Sequence, residues 1–333
     1  MAETMRAAHD ALHTPVMLRQ CLDLLAPALS ESAHPDEPVT LVDCTLGMGG
    51  HTEAFLREFP HISVIGIDRD PQAIELASER LAPYSDRFEA VHATYDQVQE
   101  IVEARRASGR VSAVLMDLGM SSLQIDQRER GFSYSHDAPL DMRMNPEAPV
   151  SAADLVAHES QESLEKILRV YGEERFARAI ARAIVAARET NPIRTTGELA
   201  ALVQSVIPAA ARRKGGNPSK RTFQALRIAV NEELDILEAA LPAAIAVLRI
   251  GGRLAVESYH SLEDRLVKQA FARGTQSRTP PGLPVDLPEY APYLASLTRG
   301  AMKAPEEEVD ENSRAASVRL RAVERTRDQG AVK

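Results

Sequence analysis

The stretch Val39–Asp70, reading VTLVDCTLGMGGHTEAFLREFPHISVIGIDRD, constrains this chain more than any other. An apolar run, Val39–Val42, leads into Asp43 and then into a turn carrying Gly47, Gly49 and Gly50. A short amphipathic segment follows, and a second apolar run, Ile62–Ile67, ends on Asp68. The pattern is strand, tight loop, helix, strand, carboxylate. Glycines let the backbone approach a bound ligand without a Cβ clash. An acid at the tip of the second strand suits a pair of ribose hydroxyls. A nucleoside cofactor is therefore expected.

Counting glycines narrows the choice. The loop reads Gly47-Met48-Gly49-Gly50-His51-Thr52, so Thr52 stands where the third glycine of a G-x-G-x-x-G fingerprint would be. A pyrophosphate needs that spacing to sit on the helix N-terminus. S-adenosylmethionine has no pyrophosphate, and Asp43 and Asp68 suit it better than a nicotinamide cofactor. A nicotinamide oxidoreductase and a non-catalytic RNA-binding assembly factor are the competing readings. Binding of the candidate cofactors separates them.

The first third of the chain alternates strand and helix. Asp70 and Pro71 start a helix after Asp68. Phe88–Ala93 reads as a third strand, and Ser112–Met116 as a fourth that ends on Asp117. Strands separated by helices imply a doubly wound, mostly parallel α/β sheet. From Leu123 to Thr222 the pattern turns helical, over Ser151–Val156, Glu162–Val170, Glu173–Arg188 and Thr195–Ile207. Thr195 with Glu198 forms a capping box. A helical block between strands of one sheet reads as an inserted domain. The expected division is 1–124, an inserted substrate domain 125–222, and 223–333. Phe223, Leu226, Val230, Leu234, Leu237 and Leu241 form one stripe of a long helix, which Gly251–Gly252 ends. Leu254–Tyr259 is a fifth strand, Ser261–Phe271 a helix with Ser261 and Asp264 as its capping pair, and Val318–Val323 a final strand.

Composition excludes some classes. A formal net charge of −9 argues against a globally basic nucleic-acid binder but leaves local patches open. The two cysteines, Cys21 and Cys44, form no disulfide framework and suit a reducing cytoplasm. Met1–Ala11 has no apolar core of a signal peptide, and runs such as Ala239–Leu248 are too short to span a bilayer. A cytoplasmic location without membrane contact is expected.

Several segments, taken in order, carry a resemblance. They are His13-Thr14-Pro15-Val16, the loop GMGGH, DLGMSSLQID at Asp117–Asp126 and GFSYSHDAPLDMRM at Gly131–Met144. YGEERF at Tyr171–Phe176, RTFQALRI at Arg221–Ile228 and YHSLEDR at Tyr259–Arg265 follow. Together they closely resemble the MraW/RsmH family, from about His13 to Arg325. The resemblance implies a class I (Rossmann-like) methyltransferase fold with a helical insert after the fourth strand. It implies methyl transfer from S-adenosylmethionine to the exocyclic N4 of a cytidine in the decoding region of bacterial small-subunit (16S) ribosomal RNA. It also implies cofactor contacts at Gly49, Gly50, His51, Asp68, Tyr95, Asp117 and Gln124. The expected partner is that RNA, within a ribosomal particle; the oligomeric state is open, a homodimer included. The chain departs from the family's usual pattern with Tyr95 and Tyr259, each where Phe is usual.

Cytosine N4 is a poor nucleophile because its lone pair is delocalised into the ring. Many amino methyltransferases place a D/N-P-P-Y segment after the fourth strand to hold such an amine; here that place holds Asp117-Leu118-Gly119-Met120-Ser121-Ser122. Asp117 is a candidate for amine activation, for cofactor binding, or for both. His260 is a candidate for a polar wall of the active site. His260, Glu263 and Asp264 lack a third convincing ligand, so no metal is expected. Asp141 and Arg143 either pair structurally or line the cytidine pocket. No acid lies between Leu199 and Asn231, where Arg212, Arg213, Lys214, Lys220, Arg221 and Arg227 form a candidate phosphate-binding surface. Arg314, Arg319, Arg321, Arg325 and Arg327 suggest a second patch. The target base is expected to be flipped into a pocket between the sheet and the insert.

Overall fold

A computed structural model describes residues 15–30, 38–212, 217–280, 287 and 290–328. The chain divides into two compact units. One comprises Met1–Gly119 and Asp235–Lys333; the other is Met120–Leu234. No described helix is long and apolar enough to cross a membrane.

The first unit is built on a sheet of β1 (Thr40–Asp43), β2 (Ser63–Asp68), β3 (Phe88–His92), β4 (Val111–Asp117), β5 (Leu248–Ser258), β6 (Leu294–Ser296) and β7 (Arg319–Arg325). The strand order is β3-β2-β1-β4-β5-β7-β6. The first five strands pair in parallel, and β7 runs antiparallel to both β5 and β6. This is the class I methyltransferase arrangement that the resemblance implies. The parallel strands read as continuous apolar runs because both faces of the sheet are covered. Val42, Ile65, Ile67, Val114 and Met116 face one apolar cluster. Leu41, Val64, Ala113 and Leu115 face the other. The strand order reverses at β1, between β2 and β4, and ligands of such sheets bind in the crevice outside the carboxyl ends there.

Three sequence readings in this unit need correction. The glycine pair Gly251–Gly252 does not end a helix. The helix Glu233–Val247 runs directly into β5, and the glycines sit inside that strand near a register shift against Val111 and Ala113. The cap of the helix Ser261–Thr275 is not Ser261 with Asp264. His260 and Glu263 form the capping box, while Asp264 accepts two bonds from Arg321 at 2.7 and 3.1 Å. The short strand β6 and the helix Leu18–Leu29 were not legible beforehand.

The second unit is helical. Its helices Ala152–His158, Gln161–Gly172, Ala177–Arg188, Thr196–Val206 and Lys220–Asn231 surround a core that includes Leu164, Leu168, Ile180, Ile184, Leu199 and Leu226. Thr195 and Glu198 make the expected capping box, and Ser151 with Asp154 makes another. The unit starts five residues earlier and ends twelve later than the expected 125–222. The late end reflects Lys220–Asn231, which packs on Gln161–Gly172. The single long helix expected from Phe223 to Leu241 is two helices. Glu232 takes a left-handed conformation (φ 50°) between Lys220–Asn231 and Glu233–Val247. Arg227, read as surface, is buried and forms a two-pronged pair with Glu233 at 2.9 and 3.0 Å.

The YGEERF segment has a packing reason. Gly172 ends its helix against Lys220–Asn231, and a Cβ there would stand 2.6 Å from the Arg221 carbonyl oxygen. Glu173 follows in a left-handed conformation (φ 48°) and breaks the helix expected at Glu173–Arg188, which starts instead at Ala177. Because the obstacle is backbone, Gly172→Ala should destabilise this unit by about 1–3 kcal/mol. Denaturant unfolding followed by circular dichroism measures it; a change below about 0.5 kcal/mol would contradict the close approach.

Candidate active site

The glycine loop is held by acids. Gly47 N–H donates to Asp68 Oδ2 at 2.8 Å, and Asp70 N–H to Asp68 Oδ1 at 2.9 Å. Asp43 accepts from Thr45 N–H at 3.1 Å and from Thr52 Oγ1–H at 2.7 Å. Thr52, at the position that breaks the dinucleotide fingerprint, thus ties the helix Gly50–Glu58 to the tip of β1. Thr45 Oγ1 accepts from Asp117 N–H at 2.7 Å and joins the tips of β1 and β4. Gly49 adopts φ 78° as the N-cap of that helix, a conformation that favours glycine. A Cβ on Gly50 would stand 2.8 Å from Pro15 Cγ, so the early Pro15-Val16 segment packs on the loop.

Four carboxyls gather at the carboxyl ends of parallel strands: Asp43 on β1, Asp68 on β2, Asp117 on β4 and Glu257 on β5. No described arginine or lysine forms an ion pair with any of them. Burial pushes Asp43 up to about 6 and raises Asp68, with backbone and threonine donors opposing the shift. Asp117 is pushed to about 7, chiefly by burial, although its side chain keeps 26% of its surface open to a ligand. Tyr259 Oη–H donates to Asp117 Oδ1 at 2.7 Å and opposes that rise. Glu257 is raised well above the carboxylate range by burial and then by Asp117. His51 is buried, lies 3.8 Å from Asp117 and 3.9 Å from Glu257, and is lowered to about 4 by burial, so it is neutral at pH 7.

This concentration of acids suits a cationic ligand and repels a diphosphate. The sulfonium and ammonium of S-adenosylmethionine fit it; a nicotinamide dinucleotide does not. Cys21, His51 and Glu257 also bring one donor atom each within 4.8 Å of one another. Burial raises the Cys21 thiol well above its usual range.

The remaining site residues fall as follows. Tyr95 follows β3 in a short 3₁₀ turn and packs against the apolar cluster of the first unit. Gln124 belongs to the second unit, where it is buried and completes a capping box with Ser121. His260 is the helix cap, Nδ1 accepting from Glu263 N–H at 3.4 Å, rather than a free imidazole at a strand end. Asp141 and Arg143 form a two-pronged ion pair at 2.9 and 2.6 Å inside the second unit. Lys220 and Arg221 are exposed, Arg221 donating to the Glu173 carbonyl. Arg213, Lys214 and the side chain of Arg212 lie outside the described residues. The second basic patch is not realised as expected. Arg321 is paired with Asp264, and Arg325 is buried, donating to the Ala246 and Leu248 carbonyls at 2.8 and 2.7 Å. Glu257 was missed on reading the sequence. Its signal was an acid inside the apolar run LAVESY, which reaches Asp117 only through the β4–β5 register Asp117↔Glu257.

The raised acids make the empty protein more stable at lower pH. The folded state holds protons on Asp117 and Glu257 that the unfolded chain, with carboxyls near 3.8–4.5, has lost. Stability therefore falls as pH rises through about 7. His51 acts oppositely, but only as pH falls below its ordinary 6.5. Between pH 6.5 and pH 8 the melting temperature should drop, and Asp117→Asn should flatten the drop; a rising melting temperature in that window would contradict the assignment.

Comparisons with known proteins place the chain in a family. A family model described as the MraW methylase family matches residues 10–326. Ribosomal RNA small subunit methyltransferase H of Kocuria rhizophila is 59% identical over 324 residues, covering 97% of this chain and 97% of that protein. The protein of the same name from Mycolicibacterium smegmatis is 54% identical over 96% of this chain and 86% of its own. Among solved structures, an rRNA methylase from Streptococcus thermophilus aligns over 92% of this chain and 95% of that one, with 12% identity and a TM-score of 0.42.

Proposed function

Since the chain belongs to the MraW methylase family, we propose that it methylates the exocyclic N4 of one cytidine in the decoding region of bacterial 16S ribosomal RNA. S-adenosylmethionine supplies the methyl group on a sulfonium that a nucleophile can displace in line. The observation that carries the reading is the row of four carboxyls, without an arginine or lysine partner among the described residues, at the reversal of the sheet. Two relatives named as small-subunit ribosomal RNA methyltransferases, each covering nearly all of this chain, support the class of substrate.

In this reading Asp68 accepts the ribose hydroxyls, and the backbone of Gly49, Gly50 and His51 lines the loop side of the cofactor. Tyr95 stacks on the adenine, and Gln124 adds a polar contact. Asp117 offers its carboxylate to the cationic end of the cofactor or to the amino protons of the cytosine. Holding those protons localises the nitrogen lone pair, and positioning the amine behind the methyl carbon supplies most of the rate. No strict general base is required, because the methylated amine loses its proton readily. His260 positions the helix Ser261–Thr275 rather than touching the reacting atoms. Arg212, Arg213, Lys214, Lys220 and Arg221 take RNA phosphates, and the enzyme works in the bacterial cytoplasm on a ribosomal particle.

The decisive experiment maps modified nucleosides by mass spectrometry in ribosomal RNA from cells lacking the gene. One N4-methylcytidine should be missing and should return with the wild-type gene but not with Asp117→Ala; a mark that persists in the deletion strain sinks the proposal. For the cofactor half, Asp68→Ala should weaken S-adenosylmethionine binding about 10–100-fold by calorimetry, since the ribose loses a charged acceptor. Unchanged affinity would remove Asp68 from the site. Replacing Arg212, Arg213 and Lys214 by alanine should lower RNA affinity and flatten its salt slope by about two while sparing cofactor affinity. An unaltered slope would mean that these residues only face solvent.

A further inference from the structure

Glu257 has no exposed side-chain surface, and the β4–β5 register sets it beside Asp117. As a carboxylate it would be an acceptor without a conventional donor, because neither oxygen finds one among the described residues. As a carboxylic acid it is a donor beside an acceptor, the Asp117 carboxylate. Two adjacent buried carboxyls without a counter-cation do not both ionise. We propose that Glu257 is an un-ionised carboxylic acid at neutral pH and a positioning residue, its O–H donating to Asp117 and, with Tyr259, holding that carboxylate in its ionised form.

The surroundings favour this proton placement from every side. On Asp117, Tyr259 and Glu257 donate from β5 and the residue after it, while Asp43 on β1 and Glu263 on the helix Ser261–Thr275 repel its charge. His51, on the helix Gly50–Glu58, stays neutral beside both carboxyls. Around Glu257, the Cys21 thiol of the helix Leu18–Leu29 is a weak donor, and Glu308 of the helix Glu306–Glu311 adds negative charge. Glu308 is itself engaged by Met17 N–H at 2.6 Å. Among the described residues, Asp117 is the carboxylate that the β4–β5 register sets beside Glu257.

The inference rests on placing Asp117 in the cofactor site, so one test avoids the cofactor. Difference infrared spectra at pH 8 of the ligand-free protein should show the carbonyl stretch of an un-ionised carboxylic acid that Glu257→Gln abolishes. A spectrum without that difference overturns the proposal whatever the cofactor does. The second test follows S-adenosylmethionine affinity against pH. With Asp117 titrating near 7, the dissociation constant should rise roughly tenfold from pH 8 to pH 6. Glu257→Gln keeps a neutral donor and should leave that acid limb where it is. Glu257→Leu removes the donor and should move the limb to higher pH. A limb that moves in the glutamine variant, or that fails to rise in the leucine variant, overturns the proposal, since removing an ionised neighbour would shift it downward. A wild-type affinity indifferent to pH, with the infrared band present, would instead count against Asp117 as a cofactor contact.

Discussion

The gathering of four carboxyls at the ends of β1, β2, β4 and β5 organises the first unit. Asp43, Asp68, Asp117 and Glu257 converge because parallel strands end together and each of these strands ends on, or one residue after, an acid. With no arginine or lysine paired to them among the described residues, the fold meets their charge with other means. Asp68 takes backbone N–H groups, Asp43 takes Thr45 and Thr52, and Asp117 takes the Tyr259 hydroxyl. These bonds are also what shape the glycine loop and clamp the tips of β1, β2 and β4. The same groups that tolerate the acids in the empty protein therefore prepare a site for a cation.

That arrangement links the cofactor to folding. A cationic ligand removes repulsion that the empty protein contains, so binding and stability share one origin. Glu257 near the end of β5 and Tyr259 just after it, two positions apart, bear on the same carboxylate. The tyrosine at 259 contributes the hydroxyl that Asp117 accepts. The second unit is stabilised by different means, an apolar core, three capping boxes and the buried Arg227–Glu233 pair.

Much of this was legible in the residues. Apolar runs bounded by turns marked β1 to β5, and Thr195 with Glu198 marked a helix start correctly, because both signals are local. Failures came where distance in sequence mattered. The helix from Phe223 to Leu241 kept its apolar stripe across Glu232, whose left-handed backbone leaves no mark on periodicity. Arg227 read as a surface charge because its partner, Glu233, is six residues away on the next helix. β6 has three residues and owes its existence to β7, not to its own pattern.

The amino-acid sequence alone determined the order of strands β1 to β5, the glycine loop, the acids at the tips of β1, β2 and β4, and the helical insertion after β4. These follow from periodicity, turn chemistry and the single-residue rules of caps and glycines. Only the tertiary structure decided which acids meet. The β4–β5 register set Glu257 against Asp117, and folding placed both beside a buried, neutral His51. The protonation of that pair is a property of neighbours 140 residues apart in the chain, and no local pattern encodes the dielectric in which they meet.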